Sequence, residues 1–333
     1  MVGARPVRAA RMSAGSGPPG PVRVAAIDCG TNSLRLLVAD VDNGLRRLAD
    51  VVRRMEIVRL GQGVDATGRL APDALDRTLH TLGEYAGIIH RSGASSVRMV
   101  ATSATRDAAN AAEFSAAVMM ILGQPPEVLT GAEEAALSFS GATAELAGGP
   151  ELPGPYLVVD IGGGSTEFVL GDSDGGNGLA ACSMDIGCVR MTERHLHDDP
   201  PTAAQIEAAS ADIDAAIAEA AAAVHADRAR TLVGLAGSVT TVAGIALDLP
   251  AYDPEKIHHA RITAGQVHEV TTNLLSQTVA QRRGIGVMHP GRADVIGAGA
   301  LVLDRIMTDL GFAEVIASEH DILDGIAWSL AGG

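Results

Sequence analysis

Aromatic residues are nearly missing from this chain of 333 residues, with Phe, Tyr and Trp together at 2%. Without large rings the core must be packed from Ala, Val, Leu and Ile. The 47% hydrophobic and 20% charged content still fits an ordinary folded protein, and the length predicts two domains. Lysine is rarer still: Lys256 is the single example among 25 basic residues. Cys29, Cys182 and Cys188 form no CxxC pair and are odd in number. That excludes a disulfide framework and a zinc ribbon, and points to a reduced cytosol. The longest charge-free stretch, residues 231–247, is broken by Gly234, Gly237 and Gly244, so it predicts strand–turn–helix rather than a membrane span. The net charge of −15 argues against broad binding to nucleic acid or a membrane surface. Local arginines and cations would still gather a phosphorylated substrate. Residues 1–21 are rich in Gly, Pro, Ser and Arg and lack a signal-peptide core, so a disordered tail is expected before Val22.

What the chain does have is a repeated phrase. Val24-Ala25-Ala26-Ile27-Asp28-Cys29-Gly30-Thr31-Asn32-Ser33 and Leu157-Val158-Val159-Asp160-Ile161-Gly162-Gly163-Gly164-Ser165-Thr166 are each an apolar run ending in Asp-x-Gly. Such a run reads as a strand buried on both faces. The glycines after it permit a tight turn whose N–H groups can face an anion, and the aspartate adds a place for a divalent cation. The plain alternative is a hairpin turn in each case. Two copies predict a duplicated fold that clamps phosphate between its halves. Neither copy is a Walker loop or a dinucleotide fingerprint.

The rest of the chain fits that duplication. Strands are predicted at 34–41 and 49–60, a helix at 71–91, a strand at 97–101, a helix at 108–122, a strand at 127–129 and a helix at 131–146. After a turn-rich joint at 148–155 the pattern restarts, with strands at 156–161, 167–170 and 179–185 around a loose hairpin loop at 175–178. Helices follow at 188–195 and 202–225, then a strand at 231–235 running into a helix. Further helices are predicted at 264–278, 293–310 and 322–330, with a strand at 314–317. Mixed sheets covered by helices follow from this alternation.

Three further segments carry chemistry. Gly131-Ala132-Glu133-Glu134 places two carboxylates at a helix start. There they serve the helix dipole, or one acts as a general base toward a water attacking phosphorus. Arg106, in the loop Thr102–Asp107, is placed to fork onto a phosphate oxygen or to pair with Asp107. Ala236-Gly237-Ser238-Val239-Thr240-Thr241 is another strand-to-helix turn able to close a cleft. His258, His259, His289 and His320 show no metal-like spacing and read as surface or hinge residues.

Taken in order, these motifs resemble the exopolyphosphatase/guanosine pentaphosphate phosphohydrolase (Ppx/GppA) family. Arg292-Ala293-Asp294-Val295-Ile296 and Asp321-Ile322-Leu323-Asp324-Gly325-Ile326 match it too, and the resemblance spans residues 22–330 in its short, two-domain form. It implies an α/β, actin-like ATPase (ribonuclease H-like) duplicated fold with the active site in an interdomain cleft. Domain I would hold residues 22–130 plus about 312–333, and domain II residues 131–311. The resemblance puts the catalytic glutamate on Glu134, and Arg106 is expected to help hold the terminal phosphoryl group. Phosphate would lie on Gly30, Thr31, Asn32 and Ser33, and on Gly162, Gly163, Gly164, Ser165 and Thr166. Asp28, Asp160 and Glu167 fall on acidic positions for Mg²⁺ or Mn²⁺. The implied activity is release of orthophosphate from the end of inorganic polyphosphate. The alternative is removal of the 5′ γ-phosphate of guanosine pentaphosphate. A non-hydrolytic nucleotide-responsive regulator and a sugar or acetate kinase are weaker alternatives. A cytoplasmic homodimer is implied, with an arginine-lined route for the polyanion and hinge closure on substrate.

Overall fold

The computed structural model describes residues 20–144, 152–172 and 178–331. The expected tail, up to residue 19, lies outside these residues. So do residues 145–151, which include the start of the expected joint, and 173–177, which include most of the expected hairpin loop.

The first half runs β1 (Val22–Cys29), β2 (Ser33–Asp42), β3 (Arg47–Ile57), α1 (Val64–Thr67), α2 (Pro72–Ser92), β4 (Ser96–Ala101), α3 (Ser103–Asp107), α4 (Ala111–Leu122) and β5 (Glu127–Val128). The second opens with α5 (Gly131–Thr143), β6 (Tyr156–Ile161), β7 (Thr166–Gly171), β8 (Ala180–Met184), α6 (Cys188–His195) and α7 (Ala203–Val224). It continues with β9 (Thr231–Leu235), α8 (Ala236–Ala246), α9 (Pro254–Ile257), β10 (Arg261–Thr263), α10 (Ala264–Ser276), α11 (Val279–Arg282), α12 (Ile296–Leu310), β11 (Glu314–Ala317) and α13 (Ile322–Ala331).

Strand order proves the duplication. The first sheet is ordered β3-β2-β1-β4-β5, and the second, from its β8 edge, β8-β7-β6-β9-β11-β10. In both, an antiparallel meander leads into parallel neighbours of the central strand. This is the ribonuclease H-like arrangement of the actin-like fold, with β10 added antiparallel at one edge. The central strands are buried as their apolar runs require: β1 from Val24 onward and every residue of β6.

The helices follow from local chemistry. α2 starts with Pro72 in its first turn, where a missing N–H costs nothing, and ends at Gly93 with φ 69°. Its buried residues Ala74, Thr78, Leu82, Tyr85 and Ile89 form one stripe at helical spacing. The core is aliphatic; Phe114 and Phe168 are the largest fully buried side chains.

Several expectations shift. Residues 103–107 form a helical turn rather than a loop, and α4 begins at Ala111. α10 stops at Ser276, with α11 following as a separate turn. The chain also returns to the first half later than residue 312, because β11 pairs with β9 and β10 in the second sheet. Only α13 crosses back. There Ile322, Leu323, Ile326 and Ala327 join a core with Val24, Ala26, Leu37 and Val100. α13 also crosses α5 closely: a Cβ on Gly141 would overlap the Asp321 carbonyl, and one on Gly325 the Leu137 carbonyl.

Candidate active site

The two repeated turns have the same construction. Gly30 N–H donates to the Ser33 carbonyl at 3.0 Å, and Gly162 N–H to the Ser165 carbonyl at 3.0 Å. Asp28 thereby faces Arg35 across the first hairpin, and Asp160 faces Glu167 across the second. Equivalent positions thus carry an arginine in one half and a glutamate in the other. The turns also touch. Gly163 and Gly164 lie against Thr31, Asn32 and Ser103, leaving no room for a Cβ, and the hydroxyls of Thr31 and Ser103 are 2.9 Å apart.

Between them lies a small cavity of about 80 Å³, space for one phosphoryl group and little more. Gly30, Thr31, Asn32, Ser33, Gly162, Gly163 and Ser165 line it with Asp28, Asp160, Glu134 and Glu167. Ala236, Gly237 and Ser238 close one side, and Ala236 holds a left-handed φ of 67°, a strained geometry for a residue with a Cβ. Two expected phosphate residues point elsewhere. Thr166 is buried and donates its hydroxyl to the Ile186 carbonyl at 3.1 Å, while Gly164 packs on Ser103 and its carbonyl accepts from Arg190 Nε at 2.7 Å.

The adjacent glutamates of α5 have different surroundings. Glu133 completes a capping box: its Oε2 accepts from Thr130 N–H at 2.9 Å, and Glu133 N–H donates to Thr130 Oγ1. Glu134 turns inward, is 7% exposed, and accepts from Arg106 Nη1 at 3.2 Å. Arg106 also donates to the Leu129 carbonyl at 2.8 Å, so it reaches the site through Glu134. It does not pair with Asp107, which belongs to Arg190.

Four buried carboxylates line this cavity within electrostatic reach of one another, and burial makes their charge costly. Burial, then the charge of Glu167, raises the pKa of Glu134 well above the ordinary carboxylate value, against the pull of Arg106. Burial and then Asp160 push Glu167 up to about 7. Burial and then Asp321 push Asp160 up to about 6. Asp160 accepts from Ser138 Oγ at 2.7 Å and Glu167 from Ser183 Oγ at 2.7 Å. Burial also raises Asp28, although its Oδ2 holds Arg35 at 2.8 Å. Its Oδ1 is buried with no hydrogen-bond partner.

Arg35 and Arg292 are site residues not assigned from the sequence. Arg35 bridges Asp28 and Asp321; burial works against its charge, yet the two carboxylates keep it protonated. Hairpin register could have found it, since closing Gly30 on Ser33 puts residue 35 opposite residue 28. Arg292 packs its guanidinium where a Cβ on Gly237 would sit, and no local pattern announces that contact. The histidines are not scattered: His258 stacks on His259 at 3.7 Å and lies 4.5 Å from His320, ring centre to ring centre.

The Ppx/GppA phosphatase family model matches residues 37–332. The chain belongs to this family. It is 50% identical over 321 residues to a Mycobacterium tuberculosis protein named Exopolyphosphatase 2, covering 93% of this chain and 99% of that one. It is 40% identical over 180 residues to the Vibrio cholerae guanosine-5′-triphosphate,3′-diphosphate pyrophosphatase, covering 54% of this chain and 34% of that protein. A crystal structure of an exopolyphosphatase-like protein superposes with a TM-score of 0.89 at 45% identity, covering 94% of this chain and 98% of that one. Family membership makes the chain a phosphoanhydride hydrolase. No helix among the described residues is long and apolar enough to cross a membrane.

Proposed function

We propose that the protein is an exopolyphosphatase that removes the terminal phosphoryl group of inorganic polyphosphate as orthophosphate. The observation that carries this is Glu134, buried, paired with Arg106 and facing both glycine turns across a cavity of phosphoryl size. The near full-length likeness to Exopolyphosphatase 2 supports the choice of substrate. In the reaction a water oxygen bonds to the terminal phosphorus and its proton passes to the Glu134 carboxylate. The bridging P–O bond breaks, and its electron pair leaves on the shortened chain. The protein supplies position and charge rather than a covalent intermediate. Turn N–H groups and the hydroxyls of Thr31, Ser33 and Ser165 hold phosphate oxygens, and Arg106 favours the ionised form of Glu134 against burial and the neighbouring carboxylates.

Asp28, Asp160 and Glu167 would hold Mg²⁺ or Mn²⁺. The donors are all oxygen, as hard cations require, and the unpartnered Asp28 Oδ1 fits such an ion. Among the described residues no three acidic, His or Cys side chains are already gathered around one point, so substrate oxygens and water would complete the shell. A divalent cation there would offset the charge on the phosphate oxygens.

The family and the Vibrio relative favour a second reading, removal of the 5′ γ-phosphate of guanosine pentaphosphate. Phosphate release from tripolyphosphate, long-chain polyphosphate and guanosine pentaphosphate, with Mg²⁺ or Mn²⁺, ranks the two. Inactivity on all three overturns the hydrolase reading and favours a nucleotide-responsive regulator. Three free thiols, two of them buried, support a cytoplasmic site of action, and light scattering tests the homodimer that the family resemblance implies.

A further inference from the structure

We propose that Asp321 is a positioning residue for the active site: it anchors Arg35, so that Asp28 keeps one carboxylate oxygen free for a divalent cation. This role rests on the reading above that Asp28 helps to hold Mg²⁺ or Mn²⁺. Arg35 sits between the two aspartates. Its Nη1 donates to Asp321 Oδ2, and its Nε donates to Asp28 Oδ2 at 2.9 Å. Its Nη2 lies 2.8 Å from that same Asp28 oxygen. An arginine fork facing a carboxylate commonly takes both oxygens. Here it meets one, and Asp28 Oδ1 is left buried without a partner.

The anchor itself is held at every polar atom. Asp321 is buried and immediately precedes α13, where the chain crosses from the second sheet to the first. Its N–H donates to Asp324 Oδ2 at 3.0 Å, and its Oδ1 accepts from Leu323 N–H at 3.0 Å. Its carbonyl accepts from the N–H groups of Asp324 and Gly325 at 3.1 Å each, and lies against Gly141 of α5. Asp324 is tied in turn to Arg53 at 2.6 Å. Capping α13 uses Oδ1 alone, and an asparagine would cap it as well as an aspartate. The charge on Oδ2 therefore serves Arg35. Without it, Arg35 is free to turn its fork onto both oxygens of Asp28, and its positive charge bears on Asp28 unshared. Both changes oppose a cation at Asp28 Oδ1. Asp321 also raises the pKa of Asp160 through its charge, a direct effect that would survive the loss of Arg35.

The test measures Mn²⁺ binding by calorimetry, without substrate, in wild type, Asp321→Asn, Arg35→Gln and the double variant. Ile326→Val, which loosens α13 against β1 without touching Arg35, is the control for a merely structural loss, and urea melts check that each variant folds. Asp321→Asn should weaken Mn²⁺ binding about tenfold. In the Arg35→Gln background the same substitution should change the affinity by no more than about twofold, because the two residues act as one unit. Ile326→Val should keep wild-type affinity. Wild-type affinity in Asp321→Asn overturns the proposal. So do equal losses with and without Arg35, which would mean that the Asp321 charge acts directly, and an equal loss in Ile326→Val. A wild type that binds no Mn²⁺ overturns the metal reading and this proposal together. If no phosphate is released from any substrate, the hydrolase reading alone fails, and the Mn²⁺ affinities still decide the role of Asp321.

Discussion

Arg106 Nη1 lies 3.2 Å from Glu134 Oε2, tying the end of α3 to the first turn of α5. The contact pits one cation against burial and three nearby carboxylates, all of which favour a neutral Glu134. Replacing Arg106 with Ala should lower kcat about a hundredfold. It should also move the acid limb of the kcat profile upward, because Glu134 then ionises later. A profile that keeps its position while kcat falls would mean that Arg106 acts on substrate alone.

Glu134→Gln keeps the shape of the side chain and removes its ability to accept a proton. Turnover should be lost while tripolyphosphate still binds with near wild-type affinity by calorimetry. In wild type, activity should fall as pH drops through a value above the ordinary carboxylate range of about 4 to 5, since the raised pKa of Glu134 leaves it protonated there. Turnover near normal in Glu134→Gln removes it from the role of base.

The carboxylate cluster should cost stability at neutral pH in the absence of cations. Asp160 and Glu167 have folded-state values of about 6 and about 7, above their unfolded ones. The folded protein therefore binds more protons between these limits. The stabilising contribution is complete below about pH 4 and is lost as pH rises through about 7. With chelator present, Glu167→Gln should raise stability at about pH 8 by on the order of 1–3 kcal/mol and have little effect at about pH 4. Denaturant melts at the two pH values measure the difference.

Arg190 joins the halves on one rim of the cleft. Its guanidinium meets Asp65 at 2.6 Å and Asp107 at 2.6 Å, and its Nε holds the Gly164 carbonyl. Glu193 accepts from Gly63 N–H nearby, and Arg59 pairs with Asp294 at 2.8 Å. Both aspartates are partly exposed, so Arg190→Ala should cost only about 1–2 kcal/mol. KM should rise more than kcat falls, because the second glycine turn loses its tether. Added salt should bring wild type toward the variant. A variant with wild-type KM and salt response would show that the rim pairs are incidental.

Gly325→Ala places a Cβ into the Leu137 carbonyl at the crossing of α5 and α13. Overpacking of this kind costs about 1–3 kcal/mol, which a urea melt will show. An unchanged midpoint would mean that the helices separate without penalty.

Much of this architecture is legible in the chain because its signals are local. The Asp-x-Gly turns announce themselves through buried strands followed by glycine, and the Glu133–Glu134 pair through its place at a helix start. The capping role of Glu133 is also local, since it lies three residues after Thr130, at capping-box spacing. Arg292 is different. It reaches the cleft from a loop near residue 290, and only the packed halves set it beside Arg35. Thr166 misleads for the opposite reason. Strand alternation turns its hydroxyl away from the cavity, toward the Ile186 carbonyl. The short β10 shows no alternation long enough to be seen.

Because α13 packs on β1, the first half holds open a place for residues synthesised long after it. Val24 and Ala26 cannot bury one face until Ile322 and Ile326 arrive, nearly the whole chain later. The first half is therefore synthesised early but finished late. Its incomplete apolar face is the surface on which newly made chains are exposed to aggregation and to chaperones.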